Sequence, residues 1–436
     1  MLVDGNFRED SERGLLNEDS PLLIRHMSME KPEKTRQRPH SRYTSPSSSS
    51  TTKTGLHLPL PRHRLLVLLL LVFVLLFLVG VALLLNTLQT AKVISIKHAN
   101  IQYVQVDSDV YLWVRTWGNR QSGIPVLFVH GGPGNAIADY GNSNAEFFDC
   151  NEYFVVEVDQ RGTGQSKPSV RDSADNMKLY ENISVDRIAA DYEIVRKELQ
   201  LDQWLVFGGS FGSTVGIYYS SHYPQSSLGL IVRGIYLDTP EEMQAVYARS
   251  SHLNHPSRVQ AFDILYGYAA SKANEWIDPN DAQALTLAYF QMIRQGDQQA
   301  IWHWHVYENN LMETEPSNLL DPQIIDWSVF PEAQSVAFFE TRLWLRGAYE
   351  HPLNLLDSVH HLRQVNFIRI CQGRHDLVCP ARYTRLLTDA LDDAHAYYGV
   401  RYLNSGHEQS DPIMALCLKE SLQSFQTEYS LATGWK

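Results

Sequence analysis

The chain has 436 residues, with 37 Lys and Arg against 49 Asp and Glu and a formal charge of −12. That length accommodates a core-building domain of about 300 residues with room for a second module. Residues 1–64 hold 11 basic and 8 acidic side chains, so the remainder carries −15; an acidic body excludes nucleic acid as a partner, because phosphate binding needs clustered Lys and Arg.

Residues 1–64 read as a disordered tail, since stretches such as Ser45-Pro46-Ser47-Ser48-Ser49-Ser50-Thr51-Thr52 bury nothing. Within it, Glu18-Asp19-Ser20-Pro21-Leu22-Leu23 places an acid four residues before a Leu-Leu pair. That spacing is similar to the dileucine signals that send membrane proteins to endosomes and lysosomes. Residues 65–85 form an uncharged run of 21 residues. At about 1.5 Å per residue it matches a hydrocarbon core of roughly 30 Å, so the run predicts a single transmembrane helix. Basic residues crowd positions 31–64 against Glu33 alone, which puts the N-terminus in the cytosol by the positive-inside rule. The expected arrangement is a single-pass signal anchor with the body lumenal or extracellular, in an endosomal or lysosomal membrane if the dileucine pair is used.

Beyond the anchor, residues 101–117 read as strand, turn and strand around Asp107-Ser108-Asp109. Continuous apolar runs at 124–129 and 153–158 read as buried central strands. Ile188, Tyr192, Val195 and Leu199 fall on one face of a helix over 185–199. Strands follow at 204–210, 228–236 and 367–371, with a strand-like stretch at 395–403. Strands alternating with helices imply a doubly wound, mostly parallel α/β sheet covered on both faces. Residues 238–356 break that rhythm with helices rich in Trp and Tyr, so they read as a helical cap inserted between a first core part, 100–237, and a second, 357–436. The four cysteines show no C-x-x-C or Cys/His spacing for zinc. An even count in a lumenal domain permits disulfides. The preferred reading is four small buried hydrophobes, because a body of this size needs no staples.

The strand at 204–210 runs into Gly208-Gly209-Ser210-Phe211-Gly212, a G-x-S-x-G turn. A serine on such a turn projects its hydroxyl out of the sheet, and the N–H of the next residue, Phe211, points to where an oxyanion forms. A serine hydroxyl needs a base, and the base needs a partner to fix its tautomer. Asp376 lies in Gln372-Gly373-Arg374-His375-Asp376 after one late strand, and His407 lies in Asn404-Ser405-Gly406-His407-Glu408 after another. Both sit at strand carboxyl ends, where open α/β sheets bind ligands. The order Ser210, Asp376, His407 is that of a hydrolase triad, and it calls for no metal or cofactor. His130 reads as orienting its glycine loop, and Asp376 is better placed than its neighbour His375.

With these pieces in place the chain resembles the proline iminopeptidases, serine aminopeptidases of the α/β-hydrolase fold, over roughly residues 100–425. His130-Gly131-Gly132-Pro133-Gly134 is similar to the family's HGGPG loop and Asp159-Gln160-Arg161-Gly162 to its DQRG turn. The resemblance implies that Gly131 or Gly132 supplies a second oxyanion N–H. Trp304-His305-Val306-Tyr307-Glu308 is similar to its W-x-x-W-E segment and Ala337-Phe338-Phe339-Glu340 to its A-R-I-E segment. By that resemblance Glu308 and Glu340 bind the free α-ammonium of a peptide substrate. The implied activity is release of an N-terminal residue, proline by resemblance. Phe211 replaces the family's usual Trp. Asp238-Thr239-Pro240-Glu241-Glu242 departs from the pattern, and an aromatic cluster just downstream is reduced to Ala245-Val246-Tyr247. Asn182-Ile183-Ser184 is a glycosylation sequon. Two rival readings stay open: an esterase or amidase of the same fold, and a catalytically inactive ectodomain that serves in binding.

Overall fold

The computed structural model describes residues 70–81, 99–140, 143–252, 256–312 and 320–434. The tail, 1–64, with its serine run and Leu22-Leu23, lies outside the described residues. The transmembrane expectation is corrected. Among the described residues no helix is long and apolar enough to cross a membrane. The single-pass topology, the lumenal or extracellular placement and the endosomal or lysosomal address that followed from it are therefore withdrawn.

Eight strands form one sheet in the order β1-β2-β4-β3-β5-β6-β7-β8. β1 (Asn100–Asp107) and β2 (Val110–Gly118) make an antiparallel hairpin, its turn held by Ser108 N–H donating to Asp107 Oδ1 at 3.0 Å. β2 pairs antiparallel with β4 (Tyr153–Val158). From there the sheet is parallel through β3 (Ile124–Val129), β5 (Trp204–Ser210), β6 (Ser227–Ile235), β7 (Ile368–Gly373) and β8 (Gly399–Leu403). The expected strand at 395–403 is thus limited to its last five residues.

The apolar runs feed two cores because strand side chains alternate faces. In β3, Leu127 and Val129 join one cluster while Val126 and Phe128 join the other. In β5, Val206 faces the first and Leu205 and Phe207 the second. Helices α1 (Val185–Glu198) and α2 (Phe211–His222) pack together on the first face. Between β6 and β7 the described helices include α3 (Pro240–Tyr247), α4 (Pro256–Lys272), α5 (Ala282–Arg294), α6 (Gln298–Met312) and α7 (Phe330–Trp344). After β7 come α8 (Ala381–Asp393) and α9 (Pro412–Thr433), with α9 covering the second face through Met414, Leu418 and Phe425.

The chain leaves β3 for β4 on one side and returns to β5 on the other. That reversal opens a crevice beyond the carboxyl ends of β3 and β5, the place where such sheets bind ligands.

The cysteine expectation is also corrected. Cys371 in β7 and Cys417 in α9 form a disulfide, while Cys379 stays free and buried. Two buried positions far apart in sequence meet where α9 crosses β7, a juxtaposition that no spacing rule reveals.

Candidate active site

Ser210 closes β5 with φ 57° and ψ −132°, a conformation that non-glycine residues adopt only when their surroundings impose it. Gly212 shows what imposes it. A Cβ there would stand 2.4 Å from the Val129 carbonyl oxygen, so only glycine lets α2 start this close to β3. Thr214 Oγ1 donates to the Tyr236 carbonyl at 2.7 Å and Tyr236 N–H donates to Ser213 Oγ at 3.1 Å, tying the first turn of α2 to the end of β6. As the first residue of α2, Phe211 has no carbonyl four residues back in the helix to receive its N–H.

Asp376 and His407 meet from separate loops. His407 Nδ1 lies 2.9 Å from Asp376 Oδ2 and 3.0 Å from Oδ1. Asp376 Oδ1 also accepts the N–H groups of Val378 at 3.0 Å and Cys379 at 2.7 Å. These donors fix the carboxylate, and the carboxylate directs the imidazole proton to Nδ1, leaving Nε2 as the acceptor. Gly234, with φ +53°, lies under the pair. A Cβ there would be 3.3 Å from His407 Cε1 and 3.4 Å from Asp376 Oδ2. Arg233 Nη1 donates to the His407 carbonyl at 2.9 Å and anchors that loop to β6.

The loop after β3 is built around a buried histidine. His130 Nδ1 donates to the Gly131 carbonyl at 3.0 Å and its Nε2 accepts from Gln160 N–H at 3.1 Å. Burial pushes its pKa down to about 4, so it stays neutral and structural. Gly131 N–H is already engaged, donating to the Tyr140 hydroxyl oxygen at 2.8 Å. Gly132 makes no hydrogen bond through its N–H to any described residue.

Glu308 on α6 and Glu340 on α7 are both buried. Tyr247 donates its hydroxyl to Glu308, and Trp304 Nε1 donates to Glu340 Oε2 at 2.7 Å. Burial raises both carboxyl groups above the usual range, and Glu308 raises Glu340 further by like-charge repulsion. Two such groups facing one space are relieved by a bound cation.

Ser210, Phe211, His407, Gly131, Gly132, Glu308 and Glu340 all line one cavity of about 220 Å³. Asp376 stands behind His407 and does not line it. His375 turns away, with Nε2 on Asn404 Oδ1 at 2.7 Å. Three contributors escaped the motif reading. Tyr247, the remnant of a reduced aromatic cluster, is the donor to Glu308. Arg233 ends the hydrophobic part of β6, and its hold on the His407 loop shows only in the contact between them. Cys379 reads as a small hydrophobe in the sequence, yet it lines the same cavity as Ser210, and burial pushes its thiol pKa up. Asp376, Cys379 and His407 are the one group among the described residues whose donor atoms lie close enough to share an ion. Two of the three already bond to each other, so this donor set is a hydrogen-bonded carboxylate–imidazole pair with a thiol beside it.

A family model described as alpha/beta hydrolase fold matches residues 124–277. The proline iminopeptidase of Arabidopsis thaliana is 31% identical over 313 residues, covering 70% of this chain and 74% of the relative. A probable proline iminopeptidase of Leptolyngbya boryana is 30% identical over 280 residues, covering 63% and 78%. The proline iminopeptidase of Neisseria meningitidis serogroup B is 28% identical over 326 residues, covering 74% and 94%.

Proposed function

The chain belongs to the proline iminopeptidase family of the α/β-hydrolase fold, and from that premise we propose that it releases the N-terminal residue of peptides through Ser210, His407 and Asp376. It is a serine hydrolase with prolyl aminopeptidase-like activity. The observation that carries the finer reading is the meeting, in one cavity, of Ser210 with the buried Glu308 and Glu340. A nucleophile at one end and two carboxylates at the other suit a substrate whose scissile carbonyl lies one residue from a free ammonium.

Ser210 Oγ attacks the carbonyl carbon of the first residue while His407 Nε2 takes its proton, with Asp376 steadying the imidazolium that forms. The N–H groups of Phe211 and Gly132 hold the oxyanion. Gly131 serves by its lack of a side chain, since a Cβ there would crowd the Gly209 carbonyl oxygen at 3.1 Å, directly before Ser210. The tetrahedral adduct collapses, the C–N bond breaks, and His407 returns its proton to the departing amine. Water, deprotonated by His407, then splits the Ser210 ester and frees the first residue. Throughout, Glu308 and Glu340 hold the ammonium, with Tyr247 and Trp304 fixing their carboxylates. Residues 238–356 act as a cap that carries this clamp over the core segments 100–237 and 357–436.

The test is a panel of proline-, alanine- and leucine-naphthylamides run beside short uncharged esters. Glu308→Gln is expected to lower kcat/KM for the amino-terminal substrates by about 100-fold, the scale of a lost charge-assisted hydrogen bond in a dry site. Ester turnover should change little. If Glu308→Gln spares the naphthylamides, or the esters are the faster substrates of the native enzyme, the esterase reading replaces this one. Labelling of Ser210 by a fluorophosphonate, absent in Ser210→Ala, is expected as well; a folded protein that takes no label would favour the inactive binding reading.

A further inference from the structure

The clamp accounts for one end of the cavity only. On α7, Glu332, Val336 and Glu340 recur at four-residue spacing and all line it. Such positions share a helix face, and eight residues extend about 12 Å along the axis. The level of the reacting centre on this face is marked by the loop after β3. Gly134 presses on Ser335 and Val336, and Ser335 Oγ donates to the Gly134 carbonyl at 2.7 Å. Glu340 therefore lies about one turn to one side of that contact and Glu332 about one turn to the other, so a substrate whose ammonium sits at Glu340 extends its departing part toward Glu332.

Glu332 is half-buried, and no hydrogen bond or ion pair joins it to any described residue. The cation near it, Arg171, is committed: its Nη1 donates to Asp139 Oδ1 at 2.9 Å and its Nη2 pairs with the other oxygen of the same carboxylate. Arg171 and Asp139 cancel, which leaves the charge of Glu332 uncompensated. Glu408, next to His407, is an exposed second carboxylate on the cavity lining, and its side chain also has no partner among the described residues. Among the described residues Arg233 is the one Lys or Arg that lines the cavity, and it donates to the His407 carbonyl.

We propose that Glu332, assisted by Glu408, forms a leaving-group subsite that selects peptides whose second residue carries a cationic side chain, lysine or arginine. This rests on the aminopeptidase reading above. A lysine or arginine there meets an unpaired, partly desolvated carboxylate, and an acidic second residue meets repulsion from the same group. A free carboxylate directly on the second residue would be repelled too, so amidated dipeptides are the appropriate probes.

The experiment compares kcat/KM for Pro-Lys-NH2, Pro-Gln-NH2 and Pro-Glu-NH2. In the native enzyme the lysine member should exceed the glutamate member by roughly tenfold, attraction and repulsion each contributing a few-fold as partly exposed charge pairs do. The ratio should shrink at high salt, collapse toward unity in Glu332→Gln and invert in Glu332→Lys. It should persist in Glu332→Asp, which keeps the charge. Ratios within one variant cancel differences in the amount of folded enzyme. Equal rates for the lysine and glutamate members while Pro-Gln-NH2 is hydrolysed would overturn this inference alone, as would a Glu332→Gln ratio equal to the native one. Failure to hydrolyse any of the three would overturn the aminopeptidase reading together with it.

Discussion

Ser210 shows how single residues divide the labour of the site. Its backbone is held at φ 57° because Gly212 lets α2 begin against β3, and the hydroxyl is thereby aimed at the cavity. At the cavity's other end, Glu308 and Glu340 are both raised by burial, and Glu340 is raised further by Glu308. The sign of the pH effect follows. A raised carboxyl takes up its proton at a higher pH than an ordinary one, and a protonated carboxyl no longer attracts an ammonium, so substrate capture is gained as pH rises through the raised range and lost as it falls. An uncharged ester needs only the histidine base. The acid limb of kcat/KM should therefore be steeper for prolyl-naphthylamide than for the ester, and only the naphthylamide should show an alkaline limb from loss of its own ammonium. Parallel profiles for the two substrates would contradict the clamp.

Elements place these residues. Asp376 and His407 hang from the ends of β7 and β8, and the Cys371–Cys417 disulfide ties β7 to α9 across a separation of 46 residues that includes both. By loop-closure entropy a link of that span contributes about 4 kcal/mol. Replacing both cysteines by alanine should lower the thermal midpoint by many degrees in non-reducing buffer and abolish the difference between oxidised and reduced samples. An unchanged midpoint would show that the thiols are not joined in solution. α6 and α7 act as a pair at the same scale. Glu308 and Glu340 face each other only because these helices pack together, with Trp304 on α6 reaching Glu340 on α7.

Across the whole molecule, what could be read in advance was whatever a local pattern encodes. Ser210, Asp376 and His407 each follow an apolar strand and a glycine, so the carboxyl edge of the sheet announced them before any contact was known. The parallel sheet was legible for the same reason: runs such as 124–129 and 153–158 are apolar on both faces. Tyr247 was not legible, because its bond to Glu308 exists only once α3 is laid against α6. Cys379 was not, because nothing beside it in the chain signals that it lines the same cavity as Ser210. The disulfide depends on where α9 crosses β7. The run at 65–85 failed differently: a count of apolar residues measures hydrophobic length, and among the described residues no helix is long and apolar enough to cross a membrane. The central claim is that a nucleophile and an ammonium clamp share one cavity. The most direct measurement is kcat/KM for prolyl-naphthylamide against N-acetyl-prolyl-naphthylamide in the native enzyme. The scissile bond is the same in both, and only the charge that Glu308 and Glu340 are read as holding is removed. The expected result is a preference for the free amine of about 100-fold or more; equal hydrolysis of the acetylated compound would contradict the account.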